Sequence, residues 1–265
     1  MYIMSLRKAL FGLCTVLATL QVQAETHEIQ NIREILEYVD TDTLVFLDLD
    51  NTVLEAAQSL GTDQWFDHYL SQLTADGRSF DDAMDEAVKV YKQVHDMTAV
   101  KPCEPSTPRL ISCLQRQGIT VLGLTSRNPI LTECTDRQLQ SIAVQFSQNV
   151  EQEFSEEFRE KFIGHFEKGV IFVGFSGTKG EVIESFFAHS GLHPKKVLFV
   201  DDKSHHVESV NKHLEGSELN FVGLRYGGTD HKRDDFDPQI ANIQMQHLQK
   251  ILSDEDAQRL MQVRG

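Results

Sequence analysis

Two carboxylates spaced by two residues follow a short apolar run in the first quarter of the chain. Residues 46–52 pass from apolar side chains directly into Asp48 and Asp50. Because alternate side chains of an extended segment point the same way, both carboxylates can face one ligand. The carboxyl end of a strand in an open α/β sheet is also where ligands bind. The pair therefore indicates a reaction centre, with an acidic turn before a helix as the simpler alternative.

Three later segments carry polar residues of complementary chemistry. Thr125 and Ser126 follow an apolar run, and their hydroxyl and backbone N–H groups suit a phosphate oxygen. Lys179 stands at the head of a helical pattern, where a cation and a helix N-terminus both favour an anion. Asp201 and Asp202 close another apolar run. Each element alone could be a helix cap, a solvated lysine or a turn, but together they indicate a site for a phosphorylated ligand.

The acidic residues also predict a metal ion. A dianionic substrate and a set of carboxylates repel each other unless a cation lies between them, and hard oxygen ligands suit Mg²⁺. We expect Asp48, Asp201 and the backbone carbonyl of Asp50 as its ligands. Asp202 is expected to act through a bound water. Mg²⁺ is therefore the predicted cofactor.

Other conspicuous residues each have two interpretations. Arg127 either contacts the substrate or caps the helix that follows it. Trp65, Phe66 and Tyr69, at helical spacing, either form the core of a small helical unit or face the substrate. His206 follows the second acidic pair, but an Mg²⁺ site with oxygen ligands needs no imidazole, so we expect it at the surface or behind the ligands.

Buried parallel strands are the elements that would bring these residues together. Short apolar runs of the same form recur at 44–47, 121–124, 170–173, 197–200 and 221–224. Helical patterns between them cover 108–117, 129–141, 180–190 and 207–214. This alternation predicts an α/β fold with a Rossmann-like, three-layer parallel sheet and right-handed crossovers.

One segment breaks the alternation. The stretch 55–100 has no strand-like run but two amphipathic helical patterns, which predicts a small helical cap inserted after the first strand. Residues 25–54 and 101–265 then form the core domain. The charged segment 147–168 is expected to be a helix or a surface excursion, and the tail to be helical over 238–252.

The first 24 residues have the pattern of an export signal. Arg7 and Lys8 precede an apolar run at 9–20, and small residues occupy the positions before a cleavage site after Ala24. No later stretch approaches the roughly 20 apolar residues that span a bilayer. We therefore expect a signal peptide at 1–24 and a periplasmic or secreted protein without a membrane span after cleavage.

Composition and cysteine content restrict the partners and the covalent framework. The 265 residues include 25 Lys and Arg against 40 Asp and Glu, a net charge of −15, which argues against nucleic acid as a partner. Cys103, Cys113 and Cys134 remain after the signal, in a compartment that permits disulfides. One bridge with a free thiol and three buried thiols are both open.

The four polar segments resemble, in order, the motifs of the haloacid dehalogenase-like hydrolases, across most of the chain after the signal. Residues 48–52 resemble the first motif, Thr125 the second, Lys179 the third and the 201–202 pair the fourth. The resemblance implies that Asp48 is the nucleophile and Asp50 the acid/base. It also implies a cap after the first strand.

Segments of the tail narrow the resemblance further. Residues 224–226, 236–238 and 251–255 resemble an uncharacterised secreted bacterial branch of the same superfamily, which supplies no substrate.

The sequence therefore predicts an exported, Mg²⁺-dependent phosphomonoester hydrolase, a phosphatase that acts through an aspartyl phosphate on a small phosphorylated substrate. Phosphate binding is assigned to Asn51, Thr125, Ser126 and Lys179. Two alternatives remain: a catalytically idle binding protein with this fold, and a phosphotransferase whose acceptor is an alcohol. The physiological substrate and the oligomeric state are left open.

Overall fold

The computed structural model describes residues 25–147, 150 and 156–264, and its largest feature is a seven-stranded sheet. The strands, in chain order, are β1 (Glu25–Ile29), β2 (Thr43–Leu47), β3 (Leu54–Ala56), β4 (Val100–Pro102), β5 (Thr120–Thr125), β6 (His165–Glu167), β7 (Val170–Phe172), β8 (Lys196–Asp201) and β9 (Asn220–Tyr226). The sheet has the order β1-β9-β8-β2-β5-β7-β6, and β6 runs antiparallel to β7 while the other pairs are parallel.

Helices cover both faces of this sheet. They are α1 (Asp63–Ala75), α2 (Phe80–Met97), α3 (Thr107–Arg116), α4 (Thr132–Ser141), α5 (Glu156–Lys161), α6 (Lys179–Ser190), α7 (Ser204–Leu214), α8 (His231–Asp235), α9 (Pro238–Gln246) and α10 (Asp254–Arg264). One apolar core joins the sheet to α3 and α4, and a second joins it to α5, α6 and α7. The predicted three-layer α/β architecture is confirmed.

The central strand β2 shows why its sequence is apolar without a break. Val45 and Leu47 belong to one core, whereas Leu44 and Phe46 belong to the other. All four side chains are buried because helices cover both faces. The chain reaches polar residues only beyond the end of the strand, so the acidic side chains lie at the carboxyl edge of the sheet.

The helical segment that follows β2 is bounded by a small antiparallel ribbon. Strands β3 and β4 pair with each other, and α1 and α2 lie between them in sequence. Thr62 and Ser79 cap the two helices by accepting hydrogen bonds from backbone N–H groups of the first turn. Trp65 and Tyr91 contribute to a core between the helices that also includes Leu131 and Ala241 from outside the segment.

The end of the chain contacts the start of this helical segment. The Gln244 side-chain oxygen accepts a hydrogen bond from the backbone N–H of Leu60 at 2.8 Å. The Asp254 carboxylate accepts from the backbone N–H and the hydroxyl of Ser59, at 2.8 and 3.0 Å. Helices α9 and α10 therefore fix the loop through which the chain enters α1.

Three details differ from the sequence prediction. Strand β1 was not predicted, and the expected helix over 238–252 ends at Gln246, with a separate helix beginning at Asp254. The segment 147–168 holds α5 and β6 within its described part. The predicted signal at 1–24 lies outside the described residues.

No helix in the described ranges has both the length and the apolar character needed to cross a bilayer.

Candidate active site

The carboxyl ends of three neighbouring strands open onto one cavity of about 270 Å³. Asp48 follows β2, Thr125 ends β5 and Asp202 follows β8, and these strands are adjacent in the sheet. Asp50 and Ser126 line the same cavity. Residues that are more than 150 positions apart in sequence are thus brought together by the parallel topology, as expected for ligand sites in open α/β sheets.

Three carboxylates converge at the base of the cavity. Asp48, Asp201 and Asp202 each offer an oxygen atom, and these atoms lie within 4.8 Å of one another. All three residues are buried. The Lys179 ammonium donates to Asp48 and, at 2.6 Å, to the Oδ2 atom of Asp201. One lysine faces three acids, so the cluster has a formal excess of negative charge.

This donor set fits a divalent cation. Burial raises the pKa of Asp48 well above its usual value. Burial and the neighbouring Asp201 charge raise the pKa of Asp202 to about 7. Burial is the larger cause of both shifts, and the neighbouring negative charges add to it. A hard cation bound by carboxylate oxygens would relieve that repulsion. The three carboxylates can therefore hold Mg²⁺ at this edge of the sheet.

Lys179 is held in place by the beginning of α6. Thr178 and Glu181 form a capping box there, so the first turn is fixed and Lys179 is its first residue. The lysine is 1% exposed and lies beneath the cavity, on the carboxylates, rather than on the cavity wall. Burial disfavours its charge, but Asp201 and Asp48 outweigh that effect and raise its pKa. The two carboxylates therefore favour the charged form of Lys179.

Asp50 forms a buried two-point ion pair with Arg127. The guanidinium donates from Nε to Oδ2 at 2.8 Å and from Nη2 to Oδ1 at 2.7 Å. Its third nitrogen donates to Thr135 and to Gln138, at 2.9 and 2.8 Å. Burial raises the pKa of Asp50, but the Arg127 charge outweighs it and leaves that pKa below its usual value. Of the two interpretations of Arg127, neither predicted this pairing, which orients the Asp50 carboxylate.

The remaining predicted residues lie around the same edge with different contacts. Asn51 is buried with a φ of 62°, a left-handed conformation that Asn tolerates, and its carbonyl accepts from Thr229 at 2.7 Å. This turn allows Asp48 and Asp50 to face the cavity that Asn51 itself does not line. The Thr125 hydroxyl accepts from the backbone N–H of Arg127 at 3.1 Å. Ser126 is exposed on the cavity wall.

Sequence reasoning missed a contact between the helical segment and the core. Lys203, just after the second acidic pair, forms an ion pair with Asp63 at the start of α1, and both line the cavity. No local pattern links two residues so distant in sequence. His206 also lines the cavity, and its Nδ1 atom lies 3.1 Å from Oδ2 of Asp201.

The three cysteines of the described part of the chain are free thiols. Cys134 is buried, and Cys103 and Cys113 are partly exposed. Burial, followed by the negative charges of Asp50 and Asp202, raises the pKa of Cys103 well above its usual value. Its thiol is therefore protonated and is no candidate nucleophile.

Comparison with known proteins gives one family and several remote relatives. A family model described as "Protein of unknown function (DUF2608)" matches residues 25–258. A protein of Chlamydia trachomatis serovar D named "Putative outer membrane protein" is 26% identical over 252 residues, which are 93% of this chain and 95% of that protein.

Two solved structures are also similar to this chain. A haloacid dehalogenase-like family hydrolase from Streptococcus pneumoniae has 14% identity and a TM-score of 0.40, covering 69% of this chain and 94% of its own. A hydrolase of the same superfamily from Ehrlichia chaffeensis has 16% identity and a TM-score of 0.38, covering 73% and 95%. Both names are those of the superfamily that the sequence motifs resemble.

Proposed function

We propose that this chain, which belongs to the family described as "Protein of unknown function (DUF2608)", is an exported, Mg²⁺-dependent phosphomonoester hydrolase. The observation that carries the proposal is the convergence of Asp48, Asp201 and Asp202 beneath a cavity that Asp50 also faces. Such a set suits attack by one carboxylate on phosphorus beside a bound cation.

Each chemical role falls to a named side chain. An Asp48 oxygen bonds to phosphorus while the ester P–O bond breaks, which leaves an aspartyl phosphate. Asp50, oriented by Arg127, takes a proton from the water that hydrolyses the aspartyl phosphate. Its donor role towards the departing alcohol requires that the carboxylate first take up a proton, which the Arg127 ion pair opposes. Thr125, on the cavity, and Lys179, whose ammonium bonds Asp48 and Asp201 beneath it, are assigned to the phosphoryl oxygens.

Mg²⁺, when held by Asp48, Asp201 and Asp202 together with the Asp50 backbone carbonyl, would supply positive charge against the phosphoryl group. The formal charge excess of the carboxylate cluster and the raised pKa of Asp202 support this assignment. Ser126, at the cavity wall, and Asn51, in the adjoining turn, complete the proposed phosphate-binding set.

Export is supported by two observations of different kinds. The first 24 residues have the charge, apolar run and cleavage-site pattern of a secretory signal. The relative from Chlamydia trachomatis, which matches over almost its whole length, carries a name that places it at the outer membrane. We therefore propose that this chain works outside the cytoplasm.

The test is hydrolysis of p-nitrophenyl phosphate by protein purified from expression of the full chain. We expect release of phosphate with Mg²⁺, loss of activity in EDTA, and a decrease of at least about a thousandfold in kcat for Asp48→Asn. Circular dichroism verifies that the variant is folded. Full activity of Asp48→Asn would refute the nucleophile assignment, and a folded, metal-loaded protein without turnover would favour the binding-protein alternative.

A further inference from the structure

The wall of the cavity opposite the carboxylates is apolar. Helices α1 and α2 contribute four of its side chains, and the core contributes two more from the loops after β5 and β7. These residues are Phe66, Met84, Val88, Tyr91, Leu131 and Phe175. At about 270 Å³ the cavity lies just below the usual range for ligand sites, so it suits one small molecule rather than a polymer.

The cations on this cavity are already paired within the described part of the chain. Arg127 donates a hydrogen bond to each carboxylate oxygen of Asp50. Lys203 is paired with Asp63. A second phosphate or a carboxylate on the substrate would therefore have to break an existing ion pair, whereas an uncharged group would not.

Tyr91 presents a polar atom within this apolar wall. Its ring is fixed by contacts with Phe66 and His95, with ring centroids 5.0 and 4.0 Å away. The residue is 7% exposed and lines the cavity. Among the described residues, no hydrogen bond involves its hydroxyl, and buried phenol groups usually have a partner. This hydroxyl is therefore available to a ligand held in the cavity that Tyr91 lines.

Phe175 is an exposed aromatic side chain at the same cavity. It is 61% exposed and follows Gly174, whose φ of 54° and close approach to Pro129 disfavour a larger residue. Because Phe175 lines the cavity, a bound ligand would cover apolar surface that is otherwise exposed to water. Phe80, on the same molecule, is 60% exposed but does not line the cavity.

Resting on the proposed function, we infer that the substrate is a phosphomonoester whose leaving alcohol is flat, apolar and uncharged, an aryl or comparable group of one or two rings. The phosphoryl group faces Asp48, and the ring lies between the cap side chains and Phe175. The Tyr91 hydroxyl donates a hydrogen bond to an oxygen of the leaving group. Sugar phosphates and substrates with a second anionic group are poor fits for this wall.

The affinity of two phosphonates that the protein does not hydrolyse tests the inference without an activity assay. Phenylphosphonate and methylphosphonate differ by the ring alone, and neither is hydrolysed. The chain has a single tryptophan, Trp65, which stacks on Tyr91 with centroids 6.2 Å apart, so its fluorescence reports occupancy of the wall. With Mg²⁺ present, we expect phenylphosphonate to bind at least about tenfold more tightly, from the burial of one ring. Equal affinities, or no binding of phenylphosphonate, would overturn the inference.

Selectivity among substrates gives the second test. Acetyl phosphate needs the phosphoryl site alone, whereas 2-naphthyl phosphate also needs the wall. We expect Phe175→Ala and Tyr91→Phe each to lower the ratio of kcat/KM for 2-naphthyl phosphate over acetyl phosphate, by about tenfold and about fivefold. The matched control Phe80→Ala should leave this ratio unchanged. Unchanged ratios in both wall variants would overturn the assignment of the wall.

The two proposals fail in different ways. If no phosphate ester is hydrolysed but phenylphosphonate still binds more tightly than methylphosphonate, the hydrolase proposal fails and the apolar site stands. If both substrates are hydrolysed, with no preference for the ring in binding and no response to Phe175→Ala, the hydrolase proposal stands and the apolar site fails.

Discussion

Replacing Arg127 with methionine removes the partner of Asp50 and leaves a half-buried carboxylate unpaired. The Arg127 side chain is 2% exposed and that of Asp50 18% exposed, so solvent replaces the lost bonds poorly. Loss of one partner of a buried ion pair typically costs about 3–5 kcal/mol of folding free energy. Because Asp50 is partly reached by water, we expect about 3 kcal/mol at pH 7, or a decrease in Tm of about 6–12 °C for a chain of this size.

The cost of this substitution should depend on pH in a defined direction. In the wild type, Arg127 keeps the pKa of Asp50 below its usual value, so the pair stabilises the fold above the unfolded-state pKa of about 4. That stabilisation is lost as the pH falls through the folded-state pKa. In the variant, burial alone raises the pKa of Asp50, which then takes up a proton in mild acid. The difference between the two proteins should therefore shrink from pH 7 to pH 4.

Urea unfolding in EDTA at pH 7 and pH 4, followed by circular dichroism, measures both effects. The matched control is Arg109→Met, an exposed position on α3, where we expect a change within about 0.5 kcal/mol. The double variant with Asp50→Asn should recover at least about 1 kcal/mol, because no unpaired charge remains. A loss below about 1 kcal/mol at pH 7, or one that does not change with pH, would refute the reasoning.

Two further substitutions test the role of Lys179 and the contact that the end of the chain makes with Leu60. Lys179→Ala should lower kcat/KM for p-nitrophenyl phosphate by about a hundredfold or more. The control is Lys168→Ala, which removes an ammonium that bonds Asp136 and should leave kcat/KM unchanged. Similar kinetics for both variants would contradict the phosphate role of Lys179. Gln244→Ala removes the acceptor of the Leu60 N–H and should lower the free energy of unfolding, measured in urea, by about 1–3 kcal/mol. An unchanged urea midpoint would show that the contact does not stabilise the fold.

Much of the sheet could be predicted because its strands are buried on both faces. Runs such as Leu44 to Leu47 are apolar without alternation, and each ends where the chain leaves the core. Strand β1 has no such signal. Its residues are mostly exposed at the sheet edge, and backbone pairing with β9 rather than side-chain burial makes it a strand.

The site was predictable only where its residues follow strands in a recognisable order. The Asp48–Asp50 pair and the 201–202 pair lie at strand ends, so topology alone brings them together. The pairing of Asp50 with Arg127 joins positions 77 residues apart, and the local pattern around Arg127 fits a helix cap equally well. Such a contact is set by how the loop after β5 packs, which spacing in the sequence does not encode.

The hydrogen bonds between Ser59 and Asp254 join positions 195 residues apart. They can therefore form only late in the synthesis of the chain. At about 5–20 residues per second, Asp254 is synthesised about 10–40 s after Ser59. Until then the loop that leads into α1 lacks these two hydrogen bonds. A chain that ends before Asp254 would therefore leave the backbone N–H and the hydroxyl of Ser59 without this carboxylate partner.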